Sequence, residues 1–319
     1  MSGKAETVLA DAAGIARAAG ILRAGGLVAL PTETVYGLAA RADSAEAVAR
    51  IYRAKGRPCF NPLIVHVAGL EEAERLAHFS TAARAVAQAA WPGPLTLVLP
   101  RREGSALAAA VTAGLPTVAL RAPAHPVMQA VLAACAVALA APSANRSTQV
   151  SPTSAAHVEQ ALGGAVDLIL DGGPCERGIE STILAVRENG AWEMLRPGPV
   201  DADALHRRLR GSPLPPPPRR LVTVEAPGQL ALHYSPGKPV RLAAQAPEPG
   251  EYMIGFGDIT GDCTLSAGGN LVEAAAQLYA CLHRAAASKS PRIAIAPVPD
   301  GEIGAAINDR LRRAASSDR

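Results

Sequence analysis

The sequence predicts an α/β protein in which a mixed sheet is followed by a smaller, parallel one. Three observations lead to that class. Over residues 1–210, short apolar runs of strand length alternate unevenly with segments of helical periodicity. A polyproline tract, Ser212-Pro213-Leu214-Pro215-Pro216-Pro217-Pro218, then interrupts the chain as a semi-rigid spacer. Beyond it, the order strand, Gly-containing turn, helix, strand fits a Rossmann-like parallel sheet. The chain has 319 residues, which suits two domains at roughly 150 residues each. The expected division is 1–209, a Pro-rich linker over 210–240, and 241–319.

The elements follow in order. Leu9, Ile15, Ala16, Ile21 and Leu22 recur at helical spacing, so residues 8–25 read as a helix stopped by Gly25-Gly26. Leu27–Leu30 is a short buried strand ended by Pro31. Ser44–Arg53 is a helix with Ser44 as its N-cap. Leu63–Val67 reads as strand, Glu71–His78 as helix, and Leu95–Leu99 and Thr117–Arg121 as strands. Pro126–Ala134 is helical, Val137–Ala140 extended, and Ser154–Leu162 helical. Leu168–Leu170, Ser181–Val186 and Trp192–Leu195 add strands, and Asp201–Leu209 a helix. In the second unit, Arg241-Leu242, Glu251–Ile254 and Arg292–Ala296 read as strands. Asn270–Ala287 and Gly304–Ala315 read as helices.

Composition narrows the function. The net charge of +3 is too small for a protein whose surface as a whole grips nucleic acid, and 3% aromatics leave little for a base-stacking platform. The five cysteines show no CxxC spacing and the seven histidines are scattered, so no metal-ligand set is expected. The N-terminus carries no apolar signal core. The longest apolar run, Val127–Ala141, is short of the ~20 residues of a membrane span. The expectation is a reduced, soluble, cytoplasmic protein without a membrane partner.

No P-loop, GxSxG elbow or HExxH motif occurs. Gly255-Phe256-Gly257-Asp258-Ile259-Thr260-Gly261 is one residue too long for the dinucleotide fingerprint and reads as a strand-to-helix turn. Four other segments lie at strand ends, where α/β proteins bind ligands. Pro31-Thr32-Glu33-Thr34-Val35-Tyr36-Gly37-Leu38 gathers hydroxyls and a carboxylate; it fits a ligand loop and, equally, a helix start capped by Thr32 or Thr34. Lys55-Gly56-Arg57-Pro58 sets two cations one residue apart, either converging on a phosphate or forming an exposed basic turn. Pro142-Ser143-Ala144-Asn145 offers a hydroxyl and an amide, and by itself is an Asx-type turn. Asp171-Gly172-Gly173 through Gly178-Ile179-Glu180-Ser181-Thr182 repeats the theme. Together they argue for one shared cleft.

These strings resemble a known family. Leu30–Leu38, Lys55-Gly56-Arg57, Asn61-Pro62-Leu63, Trp91-Pro92-Gly93-Pro94, Pro142–Asn145, Ser181-Thr182 and Leu195-Arg196-Pro197-Gly198 resemble the motifs of YrdC-type domains in order and spacing. With His233-Tyr234-Ser235-Pro236 and the α/β tail, the whole is similar to the long, two-domain form of threonylcarbamoyl-AMP synthases. The resemblance implies a YrdC-like twisted mixed sheet with helices around a concave cleft, plus a small Rossmann-like parallel domain. It implies ligation of L-threonine, bicarbonate and ATP to threonylcarbamoyl-AMP and pyrophosphate. That product supplies modification of the adenosine next to the tRNA anticodon.

By the same resemblance Lys55 and Arg57 are the catalytic cations. They bind ATP together with Asn61, Thr117, Ser143, Asn145, Ser151, Arg196 and Tyr234. L-threonine is surrounded by Thr34, His66, Arg121, the backbone of Ala141, and Ser181. Mg²⁺ is expected with the ATP, held chiefly by phosphate oxygens. The linker carrying Tyr234 is expected to close over the cleft. Transient partners would be tRNA or the downstream threonylcarbamoyl transferase. Two other readings stand beside this one: an RNA-binding module for tRNA or double-stranded RNA, and a transferase using carbamoyl phosphate.

Overall fold

The computed structural model describes residues 5–201, 205, 207, 225, 226, 233–301 and 303–316. Most of the expected helix over 201–209 and most of the expected linker over 210–240 fall outside them.

The first unit is built on a ten-stranded mixed sheet in the order β1-β8-β2-β3-β7-β4-β6-β5-β9-β10. Its strands are β1 (Thr7–Leu9), β2 (Val28–Leu30), β3 (Gly37–Arg41), β4 (Ile64–His66), β5 (Leu95–Pro100), β6 (Thr117–Arg121), β7 (Leu139–Ala140), β8 (Leu168–Asp171), β9 (Thr182–Val186) and β10 (Trp192–Arg196). Around it pack α1 (Ala12–Arg23), α2 (Ala45–Lys55), α3 (Leu70–Leu76), α4 (Thr81–Ala90), α5 (Ala109–Thr112), α6 (Pro126–Cys135) and α7 (Ala155–Leu162). Central strands such as β2, β4 and β9 are buried along their whole length, which is why they read as continuous apolar runs.

Three local readings change. The segment 7–9 is strand, not the first turn of a helix. It pairs parallel with β8 (Thr7↔Ile169), and α1 starts afterwards at Asp11, whose side chain accepts from the Gly14 amide at 2.8 Å. Residues 31–36 begin no helix. Thr32 Oγ1 accepts from the amides of Thr34 and Val35, both at 3.2 Å, and donates to the Val35 carbonyl at 2.6 Å. This Ser/Thr turn reverses the chain into β3, antiparallel to β2. Helix α4 went unread because its Ala-rich stretch has little periodic contrast; Ser80, accepting from the Ala83 amide at 3.2 Å, is its cap.

The second unit has a four-stranded, fully parallel sheet in the order β11-β14-β12-β13. It comprises β11 (Val240–Arg241), β12 (Glu251–Gly255), β13 (Cys263–Thr264) and β14 (Arg292–Ile295), with α8 (Leu271–Ala287) and α9 (Gly304–Ala315). The Gly255–Gly261 segment leads not into a helix but into the edge strand β13. Phe256 and Ile259 exchange backbone hydrogen bonds of 3.0 and 3.2 Å across Gly257 (φ 58°), and α8 starts only at Leu271.

The two units share a hydrophobic core. Val35, Val150 and Ile179 from the first pack with Tyr234 and with Ala275, Leu278 and Tyr279 of α8. Gly178 marks the closest approach. Its φ is 67°, and a Cβ there would stand 2.4 Å from the Ala276 carbonyl oxygen. Gly178→Ala is therefore expected to destabilise the protein by more than about 1 kcal/mol, read as a lower midpoint in denaturant unfolding. An unchanged midpoint would mean that α8 does not seat against this loop.

Candidate active site

A buried cleft opens where β2, β4, β6, β7 and β9 meet their neighbouring loops. Its walls are Thr32, Thr34, Val35, Gly37, Arg57, Ile64, His66, Arg121, Ala141, Pro142, Ser143, Glu180, Ser181, Arg196 and His233. The free volume is about 40 Å³, far below the ~300 Å³ of a typical small-molecule site.

One wall is cationic. Helix α2 ends in Gly56, left-handed at φ 58°, which turns the chain so that Arg57 points back under the cleft. The Arg57 guanidinium donates to Asn61 Oδ1 at 2.6 Å, to the Pro62 carbonyl at 2.9 Å and to the Asn61 carbonyl at 3.2 Å. Burial, and to a lesser degree Arg196, brings its pKa down to about 10, so it stays charged at neutral pH. Arg196, from the end of β10, donates through Nε to the Ser181 carbonyl at 3.1 Å and through Nη2 to Ser181 Oγ at 3.2 Å. Ser181 Oγ also shares a hydrogen bond of 2.8 Å with Thr96.

The other wall holds a second guanidinium site. Arg121, at the end of β6, pairs with Glu33 at 2.6 Å and donates to Thr34 Oγ1 at 2.8 Å and to the Gly93 carbonyl at 3.2 Å. Burial works against the Glu33 charge, yet the adjacent Arg121 holds its carboxyl below the usual range. His66 ends β4 beside it, fully enclosed, with Nδ1 unpartnered. Burial first and Arg121 second push His66 down to about 3, so the ring is neutral and its lone pair is available to a hydrogen-bond donor.

Of the residues expected at the site, Thr34, Arg57, His66, Arg121, Ala141, Ser143, Ser181 and Arg196 come together on the cleft wall. The remaining six do not line it. Lys55 lies behind the Pro142–Asn145 loop, where its ammonium donates to the carbonyls of Ser143 at 2.6 Å and Asn145 at 2.5 Å and approaches Asn145 Oδ1 at 3.4 Å. Burial, then Arg57, pushes its pKa well down. Asn145 braces the same loop from within through the Arg146 and Gln149 carbonyls at 2.9 and 2.8 Å. Asn61 orients Arg57. Ser151 donates to Glu180 at 2.6 Å.

Thr117 opens β6 at the end away from Arg121, about 13 Å of strand distant at ~3.3 Å per residue. Tyr234 faces the shared core instead, stacked on Tyr279 with centroids 5.6 Å apart and with the Arg310 guanidinium 5.6 Å over its ring. Its neighbour is the residue that enters the cleft. His233 lines the cleft, its Nδ1 is unpartnered, and burial pushes its pKa down to about 3. The turn is tied to the first unit by the Ser235 amide donating to the Thr148 carbonyl at 2.8 Å.

Sequence reasoning assigned neither His233 nor Glu180 to the site, although both lie inside motifs it singled out. Glu180 accepts from Ser151 on one oxygen, and from Tyr279 Oη at 2.8 Å and Arg310 Nε at 3.2 Å on the other. Burial opposes its charge, but Arg310 first and Arg196 next hold its pKa at about 2. The detectable signal was a carboxylate directly before the Ser181-Thr182 pair.

Comparison with known proteins agrees with this architecture. The family model described as "Telomere recombination" matches residues 20–198, and that described as "Threonylcarbamoyl-AMP synthase, C-terminal domain" matches residues 202–316. A threonylcarbamoyl-AMP synthase of Pyrococcus abyssi is 37% identical over 311 residues, covering 91% of this chain and 90% of the relative. That of Bacillus subtilis is 37% identical over 321 residues, covering 91% and 89%. A crystal structure of P. abyssi Sua5 complexed with L-threonine matches with a TM-score of 0.86 at 34% identity, covering 98% of this chain and 97% of that one. Fold and likeness together define an enzyme with nucleotidyl-transfer-like activity. The chain belongs to the threonylcarbamoyl-AMP synthase family, in its two-domain form. Among the described residues, no helix is long and apolar enough to cross a membrane.

Proposed function

We propose that the cleft joins L-threonine, bicarbonate and ATP into threonylcarbamoyl-AMP, releasing pyrophosphate. The observation that carries this reading is the convergence of three buried guanidiniums, Arg57, Arg121 and Arg196, on one cleft lined by hydroxyls and a neutral histidine. The reaction needs no protein nucleophile. The threonine amine forms its C–N bond to the carbon of CO2 and loses a proton, giving a carbamate; from bicarbonate the same bond forms as that proton and the carbon's hydroxide leave as water. A carbamate oxygen then forms the bond to the α-phosphorus of ATP as the bond to pyrophosphate breaks. The protein's task is to hold three small molecules in line and to balance phosphate charge in a dry site.

The residues support a division of labour. Arg57, Ser143 and Arg196 face the triphosphate. Asn61 fixes the Arg57 fork, and Lys55 and Asn145 shape the loop that presents Ser143. Arg121 receives the amino-acid carboxylate in its planar fork. Thr34, His66, Ser181 and the Ala141 backbone surround the rest of threonine, with His66 Nδ1 free to accept from its hydroxyl or amine. Mg²⁺ enters as part of the substrate. Among the described residues no group of three His, Cys, Asp or Glu forms a ligand set, and both Glu180 oxygens are engaged, so phosphate oxygens would hold the ion.

A cleft this small needs the 233–237 turn to swing aside for the nucleotide to enter, and its return excludes water from a labile adenylate. The enzyme would act in the cytoplasm, as a 1–209 catalytic domain, a 210–240 closing linker and a 241–319 companion. Its product would pass to the enzyme that modifies the adenosine beside the tRNA anticodon. The test is pyrophosphate release with ATP and Mg²⁺, omitting threonine and bicarbonate in turn. Release should require both; release that persists without either would overturn the assignment.

A further inference from the structure

The cleft contains one charge of the wrong sign. Among its described walls stand three guanidiniums and a single carboxylate, Glu180. An anion beside a polyphosphate site weakens binding unless its charge is cancelled, because in a desolvated cleft such a repulsion is poorly screened. The cancelling group comes from the other unit. Arg310, on α9, is fully buried and donates through Nε to Glu180 at 3.2 Å and through Nη1 to the Pro197 carbonyl at 2.7 Å. Its guanidinium also contacts Asp309 at 3.0 Å and lies over the Tyr234 ring.

Packing alone gives no reason for that choice. A buried ion pair is weak evidence of stability, since apolar side chains of similar volume often serve as well. Nor is the pair isolated. Glu180 hydrogen-bonds Ser151 on the side of the first unit and Tyr279 of α8 on the other, and it precedes Ser181, which Arg196 grips. One carboxylate thus joins the cleft wall to both helices of the second unit.

We propose that Arg310 is a positioning residue for nucleotide binding. It neutralises Glu180 and thereby lets the second unit set the potential of the cleft and the placement of the Ser151–Glu180–Ser181 wall. The proposal rests on the reading of the cleft as the ATP site. The depressed pKa of Glu180 is consistent with it, because the carboxylate stays ionised and needs a counter-charge.

The test compares Arg310→Met with the double variant Glu180→Gln/Arg310→Met. Methionine keeps much of the volume without the charge. Glutamine is neutral and still hydrogen-bonds both hydroxyls, its oxygen accepting from one and its amide donating to the other. ATP with Mg²⁺ is titrated calorimetrically, and KM values for ATP and threonine are taken from pyrophosphate release. Arg310→Met should weaken ATP about 5- to 150-fold, the usual range of coupling between sites, with little change in the threonine KM. The double variant should recover most of that loss. Equal losses for both substrates, or no recovery on removing the Glu180 charge, would reduce Arg310 to a structural residue. If Arg310→Met fails to fold, the double variant decides: it must fold and bind ATP within a few-fold of the parent, and weak binding overturns the proposal. Failure of the parent protein to release pyrophosphate with threonine and bicarbonate would instead remove the functional reading. Direct ATP titration separates the two outcomes.

Discussion

Replacing Arg57 with alanine is expected to lower threonine-dependent pyrophosphate release by about 10²- to 10³-fold, the loss typical of removing one preorganised group that stabilises transition-state charge. The side chain is held at three points, by Asn61 Oδ1 and by the Asn61 and Pro62 carbonyls. It therefore arrives at the phosphates without reorganisation. Its pKa of about 10 keeps the cation intact at neutral pH despite burial. Truncation also strands the two carbonyls, at about 1–3 kcal/mol for an unsatisfied buried group, so a small fall in the unfolding midpoint should accompany the kinetic loss. Arg57→Lys should recover only part of the rate, because an ammonium cannot reproduce the planar fork. Activity within a few-fold of the parent in the folded alanine variant would remove Arg57 from the phosphate site.

The second large effect is expected at Arg121. Arg121→Met leaves Glu33 buried without its partner, a change that costs about 3–5 kcal/mol when a buried pair is broken from one side. The same variant should raise the threonine KM, because the carboxylate-binding fork is gone. The two consequences separate in Glu33→Gln/Arg121→Met, which should regain much of the stability in denaturant titration and none of the threonine affinity. Recovery of both would mean that Arg121 serves the fold alone. The pair also has a pH signature. The folded pKa of Glu33 lies below its ordinary value of 4.5. Its contribution to stability is therefore complete above pH 4.5 and lost as pH falls through the folded value. The double variant should lack that portion of the acid transition.

Much of the fold was legible because its signals are local. The apolar run of β2, the Ser44 cap of α2 and the helix over Gly304–Ala315 each depend on residues within one turn or one strand of each other. Elements failed where the local signal was ambiguous. Thr32 can cap a helix or close a Ser/Thr turn with the same hydroxyl. Only the partner strand, here β3 against β2, selects between them. Segment 7–9 is strand for the same reason, since β8 is about 160 residues away along the chain.

The candidate site divides along the same line. Sequence alone determined that small polar groups gather at several strand ends, that Lys55 and Arg57 stand together after a helix, and that a two-unit α/β chain carries them. Strand-end loops converge whatever the details of packing. Tertiary structure decided which of those side chains reach the cleft. Thr117 and Arg121 lie on one strand, yet only Arg121 sits at the end that meets the cleft. Lys55 and Arg57 are separated by a single residue, and the left-handed turn at that residue, Gly56, sends one behind the loop and the other into the cleft. Tyr234 turns away from the cleft and its neighbour His233 enters it, because a stacked partner, Tyr279, and a cation, Arg310, wait for the tyrosine in the second unit. Glu180 acquires its meaning only there, from a guanidinium 130 residues further along the chain. Periodicity and spacing describe a residue's own element. The direction of a side chain and the sign of the charge facing it depend on groups brought near by folding.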